Sequence, residues 1–170
     1  MSKASRHILF IMGVSGSGKS TIGQLLATAL GYPFFDGDDF HPKSNIEKMR
    51  AGIALNDEDR YEWLLALNEL AKVHQEDGAI IACSALKESY RELLQKDIDA
   101  GIHFIYLKGT LQQILERLQQ RKGHYMPVAL LQSQFDALSP PKNAIVVEID
   151  EEPEKIVNNI INALEPLKEI

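Results

Sequence analysis

Eight consecutive residues, Gly13-Val14-Ser15-Gly16-Ser17-Gly18-Lys19-Ser20, satisfy the pattern G-x-x-x-x-G-K-S in full. Glycines in such a run let backbone N–H groups close around phosphate oxygens, and a helix beginning at its end adds partial positive charge. Lys19 supplies a mobile cation for β- and γ-phosphates, and the Ser20 hydroxyl can join the shell of a magnesium ion. A dinucleotide fingerprint starting at Gly16 and Gly18 fails, because Thr21 stands where its third glycine belongs. The run points to a nucleoside triphosphate, and Thr21 is counted among the nucleotide contacts.

A second constellation is Asp36-Gly37-Asp38-Asp39-Phe40-His41. Asp36 and Asp38 are two apart, so an extended segment would point both carboxylates the same way. One can hold magnesium through water while the other takes a proton from a substrate hydroxyl. Spacing alone does not say which does which, and His41 by itself reads as structural. Cations follow at Arg60, at Lys87 and Arg91, and at Arg117 and Arg121. The last two are four apart and share a helix face. One guanidinium could stack on adenine and the other meet the transferring phosphate; a basic helix end answering the macrodipole is the plainer alternative. Cys83 reads as buried in its strand, His74 and His103 as structural, and Glu148 to Glu154 as a solvated loop.

These residues need a scaffold, and the apolar pattern supplies one. Runs at 8–12, 33–36, 79–84, 103–107 and 144–149 are mostly apolar throughout, the signature of strands buried on both faces of a parallel sheet. Helical spacing lies between them. Ile22, Leu25, Leu26 and Ala29 mark one helix ending at Gly31, and Trp63, Leu67 and Leu70 a second, preceded by an acidic turn at 56–59. Leu111, Leu115 and Leu118 mark a third, and Val157, Ile160, Ile161 and Leu164 a last one after Pro153. Alternation of this kind implies right-handed crossovers with helices on both faces of the sheet. Two stretches, 37–74 and 117–141, are too long or too polar for simple crossovers, and such insertions are usually lids or binding loops.

Composition narrows the class. The chain has 170 residues, a one-domain length, with 18 basic and 24 acidic side chains and a net charge of −6. That balance argues against a surface built for nucleic-acid phosphates. A single cysteine excludes an intrachain disulfide and any multi-cysteine zinc site. The apolar run at 8–12 is too short for a signal peptide or membrane span, so the expectation is a cytoplasmic protein with no membrane partner.

With these residues in view, the sequence resembles the bacterial gluconokinases, P-loop small-molecule kinases related to shikimate and nucleoside-monophosphate kinases. The likeness covers nearly the whole chain. It is most specific in Asp36-Gly37-Asp38, His41-Pro42, Asn45, Lys48-Met49, Gly52, Leu55, Asp57, Asp59-Arg60 and Trp63-Leu64. Ser84-Ala85-Leu86-Lys87 with Tyr90-Arg91, the run 104–109, Arg121-Lys122-Gly123-His124, and Gln134-Phe135 with Leu138 continue it. The resemblance implies an α/β fold of the nucleoside-monophosphate-kinase type: three layers, a five-stranded parallel sheet in the order 2-3-1-4-5, and one domain over 1–170. It implies a substrate-binding insertion at about 37–74 and a lid at about 117–127. The implied activity is ATP- and Mg²⁺-dependent phosphorylation of D-gluconate at its terminal hydroxyl. Lys19, Asp38 and Arg121 would be catalytic, with ATP on Gly13 to Thr21, Arg117 and Arg121. Asp36, Asp38, His41, Arg60, Lys87, Arg91, His124 and Gln134 would meet the acceptor, and Ser20 and Asp36 the metal. Members of this family are commonly dimers, which makes a homodimer the expectation. A shikimate-type kinase and a nucleotide-gated regulatory protein are the alternatives.

Overall fold

The structure is a computed structural model, and it describes residues 6–99, 101–121 and 127–165. Strand β1 (Ile8–Met12) is the centre of the molecule, and all five of its residues are buried. It pairs in parallel with β3 (Ala79–Ala82) on one side and β4 (Ile102–Lys108) on the other; Ile8 faces Ala79 and Ile102 across the ladders. β2 (Phe34–Asp36) and β5 (Ile145–Glu148) close the two edges, so the order is β2-β3-β1-β4-β5, as the family resemblance implies.

Because side chains alternate along a strand, β1 feeds two cores. Leu9 and Ile11 pack with Ile22 and Leu26 of α1 (Lys19–Leu30) and Ile156 and Ile160 of α7 (Pro153–Leu164). Ile8, Phe10 and Met12 pack with Trp63, Leu64 and Leu67 of α3 (Asp57–Val73) and Tyr90 and Leu94 of α4 (Glu88–Leu94). The result is a helix–sheet–helix sandwich. It leaves the carboxyl ends of the strands free to carry loops.

Local detail departs from the periodicity in several places. On α1 the buried stripe is Ile22, Gly23, Leu26 and Ala27; Leu25 and Ala29 are exposed, because Gly23 lies against the Phe34 ring and turns the helix toward β2. The expected acidic turn at 56–59 is the start of α3. Asn56 caps the helix by accepting from the Asp59 N–H, and the Asp59 carboxylate accepts from the Asn56 N–H, a reciprocal capping box. Three helices lie where the pattern shows none: α2 (Lys43–Arg50), α4, and α6 (Val128–Ala137). The remaining helix is α5 (Leu111–Gln120). α2 and α3 together fill the 37–74 insertion. Lys48 ties them by donating to both oxygens of Asp59, at 2.9 and 2.8 Å.

Candidate active site

The phosphate-binding loop runs from β1 into α1. Gly18 sits at φ 97°, a left-handed conformation that costs other residues a Cβ clash, and it places the first turn of α1 at the end of the loop. Lys19 folds back over this loop, donating to the carbonyls of Gly13 at 3.0 Å and Val14 at 2.9 Å. Burial of its ammonium lowers the Lys19 pKa from the ordinary lysine value, against the pull of Asp38 and Asp36. A phosphate group arriving there would restore the missing counter-charge.

β2 delivers the carboxylates. The chain leaves Asp36 directly into a 3₁₀ turn over Gly37–Phe40, so the extended geometry expected between Asp36 and Asp38 does not occur. They converge for another reason: Asp36 caps that turn by accepting from the Asp38 N–H at 3.0 Å. Gly37 is required at this point, since any Cβ would collide with the Ala82 carbonyl of β3. The second oxygen of Asp36 accepts from the Ser20 hydroxyl at 3.0 Å. Asp38 opens into the cleft, yet the surrounding protein and then the Asp36 charge hold its pKa above the usual carboxylate value, with Lys19 opposing.

Two cavities meet here. One, of about 440 Å³, is lined by Ser15, Gly16 and Gly18 to Thr21 of the phosphate loop together with Asp36, Asp38 and Arg121. The other, of about 270 Å³, lies under the insertion and is lined by His41, Arg60, Trp63, Ser84 and Gln134 among others. Ser15, Lys19 and Asp38 line both. A group passing from one cavity to the other passes these three side chains.

The second cavity sets polar groups against an apolar wall that includes Met49, Ile53 and Leu130, and its polar side is held in one arrangement. His41 stacks on Trp63 with ring centroids 4.1 Å apart, and the Trp63 indole N–H donates to the Gly37 carbonyl at 2.7 Å. Buried Asn45 uses its amide nitrogen twice, toward the Asp59 carbonyl at 2.8 Å and toward His41 Nδ1 at 3.2 Å. A backbone carbonyl only accepts, so the Asn45 nitrogen must face it, and His41 Nδ1 is then an acceptor. That leaves the proton on His41 Nε2, which points toward Asp38 Oδ1 at 3.9 Å. Burial, and then the Arg60 charge, lower the His41 pKa to about 4, so the ring is neutral near pH 7. Arg60 in turn donates to the Leu55 carbonyl at 2.6 Å and the Tyr90 hydroxyl at 3.2 Å.

Other expected residues lie elsewhere. Lys87 and Arg91 do not line the cavity under the insertion. Lys87 pairs with Asp57 at 2.9 Å, and Tyr90 also donates to that carboxylate. Arg91 is buried, and its guanidinium donates to the carbonyls of Ala85, Leu86 and Ser139. Three main-chain acceptors outcompete a distant ligand for its donors, so its place in the fold is beneath the site. Ala85 has φ 46°, unusual for a residue with a Cβ, and Arg91 holds that turn. At the other side of the phosphate loop, Arg117 donates to the Ile149 and Ser17 carbonyls, which straps α5 across the loop. Arg117 and Arg121 line a cavity with Thr21, Pro153 and Ile156. Glu151 also lines it and pairs with Lys155 at 2.8 Å, so the stretch read as a solvated loop partly walls the nucleotide side. Cys83 is buried with its thiol pKa pushed up to about 12, an inert group. Residues 122–126 of the expected lid, His124 among them, lie outside the described residues. Sequence reasoning missed Trp63 as a wall of the cavity and Asn45 as the support behind His41; the spacing of His41 and Asn45, four apart, was the available signal.

The family model for shikimate kinase matches residues 15–165. The thermosensitive gluconokinase of Escherichia coli K12 is 49% identical over 134 residues, covering 78% of this chain and 71% of that protein. The thermoresistant gluconokinase of the same organism is 44% identical over 164 residues, 93% of each. Among solved structures, a gluconokinase from Sinorhizobium meliloti 1021 superposes with a TM-score of 0.90 at 39% identity, covering 98% of this chain and 96% of that one.

Proposed function

Because the chain belongs to the gluconokinase family, we infer that it transfers the γ-phosphoryl group of ATP to D-gluconate, at the terminal hydroxyl, giving 6-phosphogluconate. The observation that carries this reading is the pair of cavities joined at Ser15, Lys19 and Asp38. One cavity has the donors and helix end that phosphates need. The other offers a carboxylate, a neutral imidazole N–H and a guanidinium to a small polyol acid.

Lys19 would follow the phosphoryl group across the junction, and Arg121 would approach it from the end of α5. Asp38, at the junction, would orient the acceptor hydroxyl and take its proton. His41 Nε2–H and Arg60 would pair with substrate hydroxyls and carboxylate, with Gln134 and His124 as further acceptor contacts. P-loop kinases of this kind work with a divalent metal, and the donors here suit Mg²⁺. The Ser20 hydroxyl and Asp36 carboxylate are hard oxygens 3.0 Å apart. No cluster of three or more metal-ligating side chains occurs among the described residues. That sparse shell fits a metal that enters with phosphates and keeps its waters. When bound, the ion would neutralise charge on the phosphates.

We read 1–170 as one kinase domain, with the 37–74 insertion cradling the acceptor and a lid at about 117–127. No helix among the described residues is long and apolar enough to cross a membrane. A cytoplasmic homodimer is the form the family resemblance supports, and sedimentation tests its stoichiometry. The deciding assay is ADP release with gluconate, shikimate or AMP as acceptor. Gluconate alone should stimulate it. Comparable turnover with shikimate or AMP would overturn the substrate assignment, and nucleotide hydrolysis indifferent to all three would favour a regulatory protein.

A further inference from the structure

Ser15 is one of the three residues at the junction, and its polar groups are already engaged. Its backbone N–H donates to Gln134 Oε1 at 2.8 Å, and Gln134 Nε2 donates to the Ser15 hydroxyl at 3.1 Å. A backbone N–H can only donate, so the amide oxygen must be the atom facing it, and the reciprocal pair has one orientation. Gln134 is on α6, 119 positions along the chain from Ser15. A neutral side-chain oxygen therefore occupies a phosphate-loop donor at the point where the two cavities open into each other.

We propose that Gln134 is a triphosphate-sensing residue: its amide oxygen stands in on the Ser15 N–H until a γ-phosphate oxygen displaces it, and the freed amide then serves the acceptor cavity. This rests on the ATP-dependent reading above. An anionic oxygen makes hydrogen bonds roughly twice as strong as a neutral amide does, so the exchange runs toward phosphate. A diphosphate, ending one phosphate short of the junction, leaves the pair in place. Gln134 lines the acceptor cavity already, so rotation of its amide suffices to offer both an acceptor and a donor to a polyol. The consequence is an order of assembly. The acceptor site is complete only when the triphosphate is present, and product ADP restores the Gln134–Ser15 pair.

Calorimetric titration with Mg²⁺ and either ADP or the non-hydrolysable β,γ-imido analogue of ATP tests this on the full chain. Gln134→Leu keeps the size of the side chain and removes the competing oxygen. It should tighten the analogue by roughly 2- to 10-fold, the net value of a displaced hydrogen bond, and leave ADP unchanged. Gln134→Glu puts a charge on the Ser15 N–H and should weaken the analogue while again sparing ADP. Unchanged ADP affinity also certifies that the loop is folded in each variant. In the native protein gluconate should bind more tightly beside the analogue than beside ADP, and Gln134→Leu should erase that difference. Parallel shifts for both nucleotides, weaker analogue binding in Gln134→Leu, or nucleotide-independent gluconate binding in the native protein would each overturn the proposal. A native protein that binds neither nucleotide would instead refute the kinase reading on which it stands.

Discussion

At the residue scale, the chemistry is set by a few charges gathered where the two cavities meet. Lys19 loses solvation inside the loop and is partly compensated by Asp38 and Asp36, so its charge is available to a phosphoryl group without reorganisation. Lys19→Ala should lower turnover by at least about 10², measured as gluconate-dependent ADP release in a variant with native circular dichroism. Asp38 has the opposite sign of problem. Its pKa lies above the ordinary aspartate value, so on acidification its basic form disappears at a higher pH than a free aspartate's. The acid limb of kcat/KM should accordingly fall above that value, and Asp38→Asn should cut turnover about 10² to 10⁴ while abolishing the limb. Unchanged turnover in Asp38→Asn would move the role to Asp36 or show that transfer needs no protein base.

At the scale of elements, the cavity under the insertion depends on how α2 and α3 are joined. The Asn56–Asp59 capping box, the Lys48–Asp59 pair and the Asn45 amide fix one helix against the other, and His41 is clasped between Asn45 and Trp63. The His41 pKa falls to about 4 in the folded protein from 6.5 in the open chain. Between those values the unfolded chain binds the extra proton, so stability is full above about 6.5 and is lost as pH falls toward about 4. The loss should be on the order of 3 kcal/mol, and His41→Gln should flatten it in urea unfolding measured across that range. Arg91 plays a comparable part under β3. Arg91→Ala strands the carbonyls of Ala85, Leu86 and Ser139, and should cost about 2–4 kcal/mol of stability. A KM for gluconate that rises with little change in KM for ATP would mark it as a positioning residue of the acceptor side.

Across the whole molecule, the sandwich leaves two cavities that meet at the phosphate loop, one bordered by the end of α5 and the other by α6. Arg117 lies in the last turn of α5, whereas Arg121 stands just past its end with extended backbone, so the shared helix face expected from their spacing does not form, and the two differ in engagement. Arg117 is strapped to main-chain carbonyls of the phosphate loop and the β5 end, whereas the exposed Arg121 lines both nucleotide-side cavities. Arg121→Ala should therefore reduce turnover by about 10² to 10⁴ at unchanged stability. Arg117→Ala should mainly raise the KM for ATP, with some loss of thermal stability as its strap goes. The contrast is read by varying ATP at saturating gluconate. Equal, modest KM effects in both would reduce α5 to an ordinary basic helix.

Much of this was readable before any coordinates. The phosphate loop announces itself because its chemistry is local: eight contiguous residues carry the turn, the donors and the cation. The parallel sheet was legible because strands buried on both faces must be apolar throughout, as β1 is. The substrate class was carried by a likeness of many residues, none decisive alone. Tertiary structure decided what depends on partners distant in sequence. Asp36 and Asp38 converge through a cap and not through strand alternation, since a 3₁₀ turn begins between them. Arg91 and Arg60 read alike as cations, but one is consumed by main-chain carbonyls and the other faces a cavity. α2 and α4 were hidden because helices of about two turns draw their stability from packing, which so short a period cannot encode. The Gln134–Ser15 pair spans 119 positions. Only the folding of α6 over the phosphate loop brings them together, and no local pattern of residue types marks that meeting.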